Sequence, residues 1–65
     1  MNAKEREFKI ALAKKGWTQA KLAEEMGVTR ATVTSFLRTL KAGKPQAAVV
    51  DRYAKTLGIS VEKLI

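Results

Sequence analysis

Cysteine and histidine are both absent from the 65 residues of this sequence. Their absence excludes disulfide bonds, thiolate chemistry and the usual nitrogen and sulfur ligands of zinc as sources of stability or function. We therefore expect no metal site, and a reducing, intracellular setting suits the composition. No other pattern in the sequence predicts a cofactor or a small-molecule ligand.

Long apolar runs are absent as well. A helix that spans a membrane needs roughly 18 consecutive apolar residues, and no stretch of this sequence approaches that length. The N-terminal segment MNAKEREFKI is charged throughout and so lacks the apolar centre of a signal peptide. The sequence therefore predicts a soluble, cytoplasmic protein without a membrane partner.

The chain is short, and no internal repeat, low-complexity segment or linker divides it. A domain of this size buries only about 60% of the surface that its unfolded chain exposes. We therefore expect one domain over residues 1–65, and its stability should be modest.

Acidic residues are missing from the middle of the chain. The whole sequence has 13 Lys and Arg against 6 Asp and Glu, a formal net charge of +7. No acid lies between Glu25 and Asp51, and more than half of the net charge comes from the four cations in that interval. These cations are Arg30, Arg38, Lys41 and Lys44. A basic surface kept only for solubility would distribute its charge more evenly, so the concentration favours contact with nucleic-acid phosphates.

Residues 19–38 have the pattern of two short helices joined by a tight turn. Leu22, Ala23 and Met26 recur at helical spacing, and Gly27 follows where a left-handed residue would end the first of these helices. The helix after Gly27 has Val33, Phe36 and Leu37 as its apolar stripe, and Thr29 before it is its predicted N-cap. The stretch therefore predicts a helix-turn-helix.

Three further helices complete the predicted fold. The first runs from Ala3 to about Lys15, with Asn2 and Glu5 as a capping box and Gly16 at its end. A fourth covers about residues 46–56, and a last short helix covers residues 61–65. The sequence thus predicts an all-α, five-helix domain whose second and third helices form the helix-turn-helix. Trp17 is interpreted as a core residue rather than as a platform for stacked bases.

The third helix has an unusual composition, because Thr29, Thr32, Thr34 and Ser35 are mediocre helix formers. They could simply tolerate exposure. Short hydroxyl side chains also let a helix lie deep in a major groove and bond to base edges or phosphates. Arg30 at the entering end of the same face favours this second interpretation.

Thr18 is the predicted N-cap of the second helix, and Gln19 lies in the first turn of that helix, where free backbone N–H groups attract an anion such as a DNA phosphate. A solvated glutamine is an equally good interpretation of this residue alone. Glu24 and Glu25 are neighbours, but adjacent helical side chains point about 100° apart, so they are interpreted as solvated surface and not as a catalytic pair.

Two segments resemble the lambda-repressor and Cro family of bacterial and phage DNA-binding domains. The first, residues 14–38, reads KKGWTQAKLAEEMGVTRATVTSFLR and follows the pattern Gly-x-Thr-Gln-x-x-Leu-Ala-x-x-x-Gly-Val-Thr/Ser. The second, residues 52–65, reads RYAKTLGISVEKLI and follows the ending Ala-x-x-Leu-Gly-Val-Ser-x-x-x-Leu. Together they cover most of the chain at the expected separation.

The resemblance implies which side chains contact DNA. The positions that face bases correspond to Thr29, Arg30, Ala31, Thr34 and Ser35. The positions that face phosphates correspond to Gln19 and Arg38, and we add Thr32, Lys41 and Lys44 because hydroxyls and cations in or after the third helix are expected near the backbone. Ala31 stands where the family often has a polar residue, which leaves a methyl contact or none.

Two other departures from the family carry structural expectations. The family often pairs an arginine in its first helix with a glutamate in its third, and Leu12 and Leu37 stand there instead, so we expect these two leucines to lie close together. Thr39 and Leu40 replace the glycine that usually follows the third helix. We therefore expect either a longer third helix or a longer basic loop.

The leading functional prediction is a sequence-specific regulator of transcription, a Cro-type repressor that occupies a double-stranded operator. Members of such a family commonly bind as homodimers, and Val61, Leu64 and Ile65 are candidates for that contact, although they could instead cap the chain's own core. The alternative is a protein-interaction module on the same fold, such as an antirepressor or an antitoxin. No nucleophile–base pair, metal cluster or phosphate-binding glycine loop points to an enzyme.

Overall fold

The computed structural model describes residues 3–65 as an all-α fold, which confirms the predicted fold class. Four α-helices and one short 3-10 helix follow each other along this part of the chain. They are α1 (Ala3–Lys15), α2 (Gln19–Met26), α3 (Arg30–Ala42), α4 (Ala47–Leu57) and the 3-10 helix Val61–Lys63. The first helix begins and ends where the sequence predicts; Asn2 of the predicted capping box lies outside the described residues.

The predicted N-caps of the helix-turn-helix are confirmed. The hydroxyl of Thr18 accepts a hydrogen bond of 3.1 Å from the backbone N–H of Lys21 at the start of α2. At the start of α3, the hydroxyl of Thr29 accepts one of 3.2 Å from the N–H of Thr32. Each bond satisfies an amide that the first turn of a helix otherwise leaves without a partner.

Two glycines end the helices of this motif in the left-handed conformation. Gly27 has φ 69° and donates its N–H to the carbonyl of Glu24, and the next amide, Val28, bonds back to Ala23 at 3.0 Å. Gly43 has φ 75° and ends α3 after Ala42. Of the two alternatives that the sequence allowed, a longer third helix or a longer basic loop, the structure has the longer helix.

The predicted fifth α-helix is wrong in type and length. Residues Val61–Lys63 form a single 3-10 turn, in which the N–H of Leu64 bonds to the carbonyl of Val61 at 2.9 Å. Short turns with hydrogen bonds between residues three apart are common as connectors and at the ends of helices. The fourth helix is displaced by one residue from the prediction, because Gln46 keeps an extended backbone and serves as its N-cap.

A cluster of aromatic rings joins the helices at the centre of the core. Phe36 of α3 stacks on Tyr53 of α4 with ring centroids 3.8 Å apart, and Phe8 of α1 meets these two rings edge-on at 5.7 and 6.2 Å. Such pairs are each worth about 0.5–1.5 kcal/mol beyond the area that they bury. They hold α3 against α1 and α4 with Phe36 on its inner face.

The two expectations about core residues have different outcomes. Trp17 is half-buried and packs against the core, with the ammonium of Lys15 4.9 Å from its ring centroid. Leu12 is buried in the core cluster, and Leu37 packs against the same cluster from α3. Their direct contact stays a prediction.

Glu5 is a buried acid, although its predicted role was in a capping box at the start of the first helix. Its residue is 4% exposed, and its carboxylate lies 3.6 Å from the ammonium of Lys9 and 3.9 Å from that of Lys41. The pair with Lys41 links the start of α1 to the end of α3. Glu5 falls in the same helical register as Phe8 and Leu12, and this register was the signal that could have revealed its burial.

Within residues 3–65 no helix combines the length and the apolar character that crossing a membrane requires.

Candidate nucleic-acid interface

The outer face of α3 presents the predicted base-contacting residues together. Val33, Phe36 and Leu40 are buried on the inner face. Arg30, Ala31, Thr34, Ser35 and Arg38 jointly line a shallow concavity of about 390 Å³ on the outside. All are exposed except Thr34, which is half-buried. Four of the five residues predicted to face bases thus lie beside the arginine predicted to meet the backbone.

Gln19 lies next to this concavity, in a depression that shares Arg30 with it. A second shallow depression, of about 410 Å³, is lined by Thr18, Gln19, Ala20 and Arg30. It lies at the N-terminus of α2, where free amides and the positive end of the helix dipole attract anions. We call the combined surface, made of Gln19, Arg30, Ala31, Thr34, Ser35 and Arg38, the α3 surface.

Thr29 and Thr32 have a structural role at the start of α3. Besides the cap bond, their two hydroxyl oxygens lie 3.0 Å apart, within hydrogen-bond distance. Thr29 lines neither of the two depressions, and Thr32 lines another cleft, between α3 and α4, which borders the α3 surface at Ser35. The structure therefore does not group these two threonines with the other predicted DNA contacts, although both remain exposed.

Lys41 and Lys44 are also not gathered into the α3 surface. The Lys41 side chain is 61% exposed, but its ammonium lies 3.9 Å from the carboxylate of Glu5. Lys44 follows the end of α3, is exposed, and lines the same separate cleft as Thr32. The predicted phosphate contacts of these two lysines stay predictions.

The α3 surface is positively charged, and its arginines are available. Arg30 and Arg38 form no ion pair with any residue from 3 to 65. No acid in the described part of the chain lines either depression. An exposed guanidinium without an internal partner keeps all of its donors for an external acceptor, and its planar fork suits phosphate or the edge of guanine.

The acids nearest in sequence are engaged on α2. Lys21 lies 3.1 Å from Glu25 and 3.7 Å from Glu24, and these side chains are largely exposed. The hydrogen bond with Glu25 and the charges of both carboxylates raise the pKa of Lys21 above its usual value. One lysine is paired with two glutamates on a solvated helix face, and residues 3–65 contain no group of three or more acids that could hold a metal ion.

The three residues predicted as a dimer contact have different environments. Leu64 is 0% exposed and belongs to the core of its own chain, so it has no surface left for a second copy. This corrects the assignment of Leu64 as an interface residue. Val61 is half-buried against the core, whereas Ile65 is 57% exposed.

Comparison with known proteins adds one finding. A family model described as helix-turn-helix matches residues 8–64. No curated protein and no solved structure gives a significant match.

Proposed function

Because this chain belongs to the helix-turn-helix family of the lambda-repressor and Cro type, and is thus a DNA-binding regulator, we propose that it is a Cro-type repressor that occupies a double-stranded operator. In this proposal α3 lies in the major groove. A regulator of this kind binds the DNA of a bacterial or phage-infected cell, so we expect the protein in the cytoplasm, at the nucleoid.

The continuous α3 surface is the observation that carries the proposal. It joins the N-terminus of α2 to the outer face of α3, and its two arginines form no ion pair within residues 3–65. No acid among these residues lines it. In a helix-turn-helix complex the second helix of the motif reads base edges and the first crosses the backbone. Both kinds of contact therefore have candidates on adjacent parts of one surface.

Arg30 is the first candidate for a specific base contact. A bidentate pair between its guanidinium and the O6 and N7 atoms of guanine would contribute about 1–3 kcal/mol of discrimination. The Ala31 methyl group suits a thymine methyl, and the hydroxyls of Thr34 and Ser35 suit base edges. Thr29 is kept as a fifth base contact at the start of the helix.

Gln19 and Arg38 are proposed to hold the DNA backbone on the two sides of the reading residues. Gln19 would place a phosphate at the free amides of α2, and Arg38 would neutralise a phosphate one turn beyond Thr34. Thr32, Lys41 and Lys44 are proposed as weaker phosphate contacts.

We further propose that the protein binds its operator as a homodimer. A single small domain on one half-site usually binds too weakly to choose among genomic sites, and two domains on half-sites one helical turn apart overcome this. Ile65 and the exposed part of Val61 are the candidates for the contact between copies.

The experiment is selection of bound duplexes from a random DNA pool. The unmodified protein should enrich a motif, and the motif should be palindromic if the protein dimerises. Arg30→Ala should relax the preference at one position of each half-site, because the change removes the bidentate donor. Lys14→Ala removes an exposed cation of α1 outside the α3 surface and is the matched control; its motif should be unchanged.

Two results would contradict the proposal. Recovery of no motif would mean that the α3 surface does not read sequence. An identical motif from Arg30→Ala and from the unmodified protein would remove Arg30 from recognition.

A further inference from the structure

A cleft of about 380 Å³ lies on the side of α3 that faces α4. Helices α3 and α4 and the turn after α2 form its walls. The apolar part of its lining consists of Met26, Val28, Phe36, Val49 and Tyr53. This volume and this mainly apolar lining are typical of sites that hold small molecules.

The polar part of the cleft carries positive charge only. Lys44 and Arg52 line it together with hydroxyl and amide side chains, and no acid does. Neither cation forms an ion pair within residues 3–65. Glu25 shares a neighbouring depression with Arg52 but is paired with Lys21 at 3.1 Å. The cleft therefore complements a molecule that is apolar and anionic.

Helix α4 adds to this positive potential. Its N-cap residue, Gln46, lines the cleft and makes no side-chain cap hydrogen bond. The first amides of α4 thus have no side-chain acceptor, and the positive end of the helix dipole lies at this end of the cleft.

Tyr53 supplies an independent observation. Its ring stacks on Phe36, its residue is 3% exposed, and its hydroxyl is buried without a hydrogen-bond partner among residues 3–65. Buried hydroxyls are nearly always bonded, so one without a partner in the wall of a cleft marks a place for an external acceptor. Burial raises the pKa of the Tyr53 hydroxyl above its usual value, and the positive charge of Arg52 opposes part of this rise.

We propose that the α3–α4 cleft binds a small aromatic carboxylate. The ring lies among the apolar walls, and the carboxylate accepts hydrogen bonds from Arg52 and from the Tyr53 hydroxyl, with Lys44 and the N-terminus of α4 stabilising its charge. The hydroxyl does not touch solvent, so a wall side chain must move to admit the ligand. Met26 is half-buried in that wall, and its unbranched side chain is the most adaptable of the five.

The test is titration of the isotope-labelled protein with 2-naphthoate, followed by backbone amide NMR. No DNA is present, so the outcome is independent of the proposed DNA recognition. We expect saturable shifts concentrated at the cleft residues. The neutral isostere 2-naphthamide should bind about tenfold more weakly, because it lacks the charge that strengthens hydrogen bonds to Arg52 and Tyr53.

Variants distinguish binding through the proposed contacts from non-specific binding. Tyr53→Phe keeps the ring and should weaken 2-naphthoate binding about tenfold, and Arg52→Gln should weaken it by a similar factor. Lys14→Gln, which removes an exposed cation outside the cleft, should bind like the unmodified protein. Because Tyr53→Phe removes a hydroxyl without a partner, circular dichroism should show that the variant is folded.

Three outcomes would overturn the proposal. Equal affinity for 2-naphthoate and 2-naphthamide would remove the anion requirement. Shifts scattered over all cationic residues would indicate non-specific association. A shift of the amide NMR signals of the cleft residues when the protein is diluted without ligand would assign the cleft to a second copy of this chain.

Discussion

The turn between α2 and α3 offers the sharpest quantitative prediction. Gly27→Ala adds one methyl group at φ 69°, and no atom from another part of the structure lies within 4 Å of that position. A clash of the methyl group with other parts of the fold therefore contributes nothing. The cost is conformational alone, roughly 1–2 kcal/mol for an L-residue in the left-handed region.

A smaller effect opposes this cost. Alanine reduces the freedom of the unfolded chain, which by itself favours folding by about 0.4–1 kcal/mol. The net loss of stability should therefore be about 1 kcal/mol, and the midpoint of thermal unfolding should fall by about 5 °C for a domain of this size. Gly27→Asn is the matched control, because asparagine tolerates the left-handed region and should lose less.

Urea denaturation of the three proteins measures these free energies. A loss above about 3 kcal/mol would mean that Gly27 is confined by contacts that the structure does not contain. A gain in stability would mean that the turn after α2 has another geometry. DNA affinity measured on the folded protein should be unchanged by Gly27→Ala, since the side chains of the α3 surface are untouched.

Three further predictions concern single side chains. Arg38→Gln should reduce the slope of log K against log salt for duplex DNA by about 0.9, because one phosphate contact is lost, as measured by fluorescence anisotropy over a salt series. Leu64→Ala should cost about 2–5 kcal/mol in urea denaturation, because the side chain is fully buried, whereas Ile65→Ala, at 57% exposure, should change stability by less than about 0.5 kcal/mol. Tyr53→Phe should leave stability near neutral pH unchanged or raised. The pKa of Tyr53 is raised above 10.0 in the folded protein, so the unfolded chain loses the hydroxyl proton first as the pH rises. The free energy of unfolding should therefore fall above that pH. Thermal unfolding at several pH values should show this fall for the unmodified protein and not for the phenylalanine variant.

Specific results would contradict each of these three. An unchanged salt slope in Arg38→Gln would place that guanidinium away from the backbone. A mild effect of Leu64→Ala, similar to that of Ile65→Ala, would remove Leu64 from the core. A marked destabilisation by Tyr53→Phe near neutral pH would mean that the hydroxyl has an internal partner.

The sequence by itself was sufficient wherever the physics is local. Thr18 and Thr29 cap helices because a side-chain hydroxyl reaches an amide three residues on, and Gly27 ends α2 because the left-handed conformation costs glycine nothing. The periodicity of apolar residues likewise predicted which face of α3 is inward, with Val33 and Phe36 on it. The family pattern then assigned the outer face to DNA.

Tertiary structure decided which of several similar residues share a surface. Thr34 and Thr32 are both hydroxyls of α3, but only Thr34 lies beside Arg30 and Arg38. Leu64 and Ile65 are neighbouring apolar residues, of which one is buried and the other is exposed. Composition does not separate such pairs.

The remaining decisions depend on residues far apart in the chain. Glu5 is buried where α1 packs against α3 and Lys41 meets it, and the cleft is lined by Phe36 of α3 and Tyr53 of α4, whose rings stack on each other. The sequence determined the helices and the outward face of α3, since these follow from neighbours within one or two turns. The packing of one helix on another depends on the shapes of distant side chains, so only the folded chain decided the buried acid, the cleft and the limits of the α3 surface.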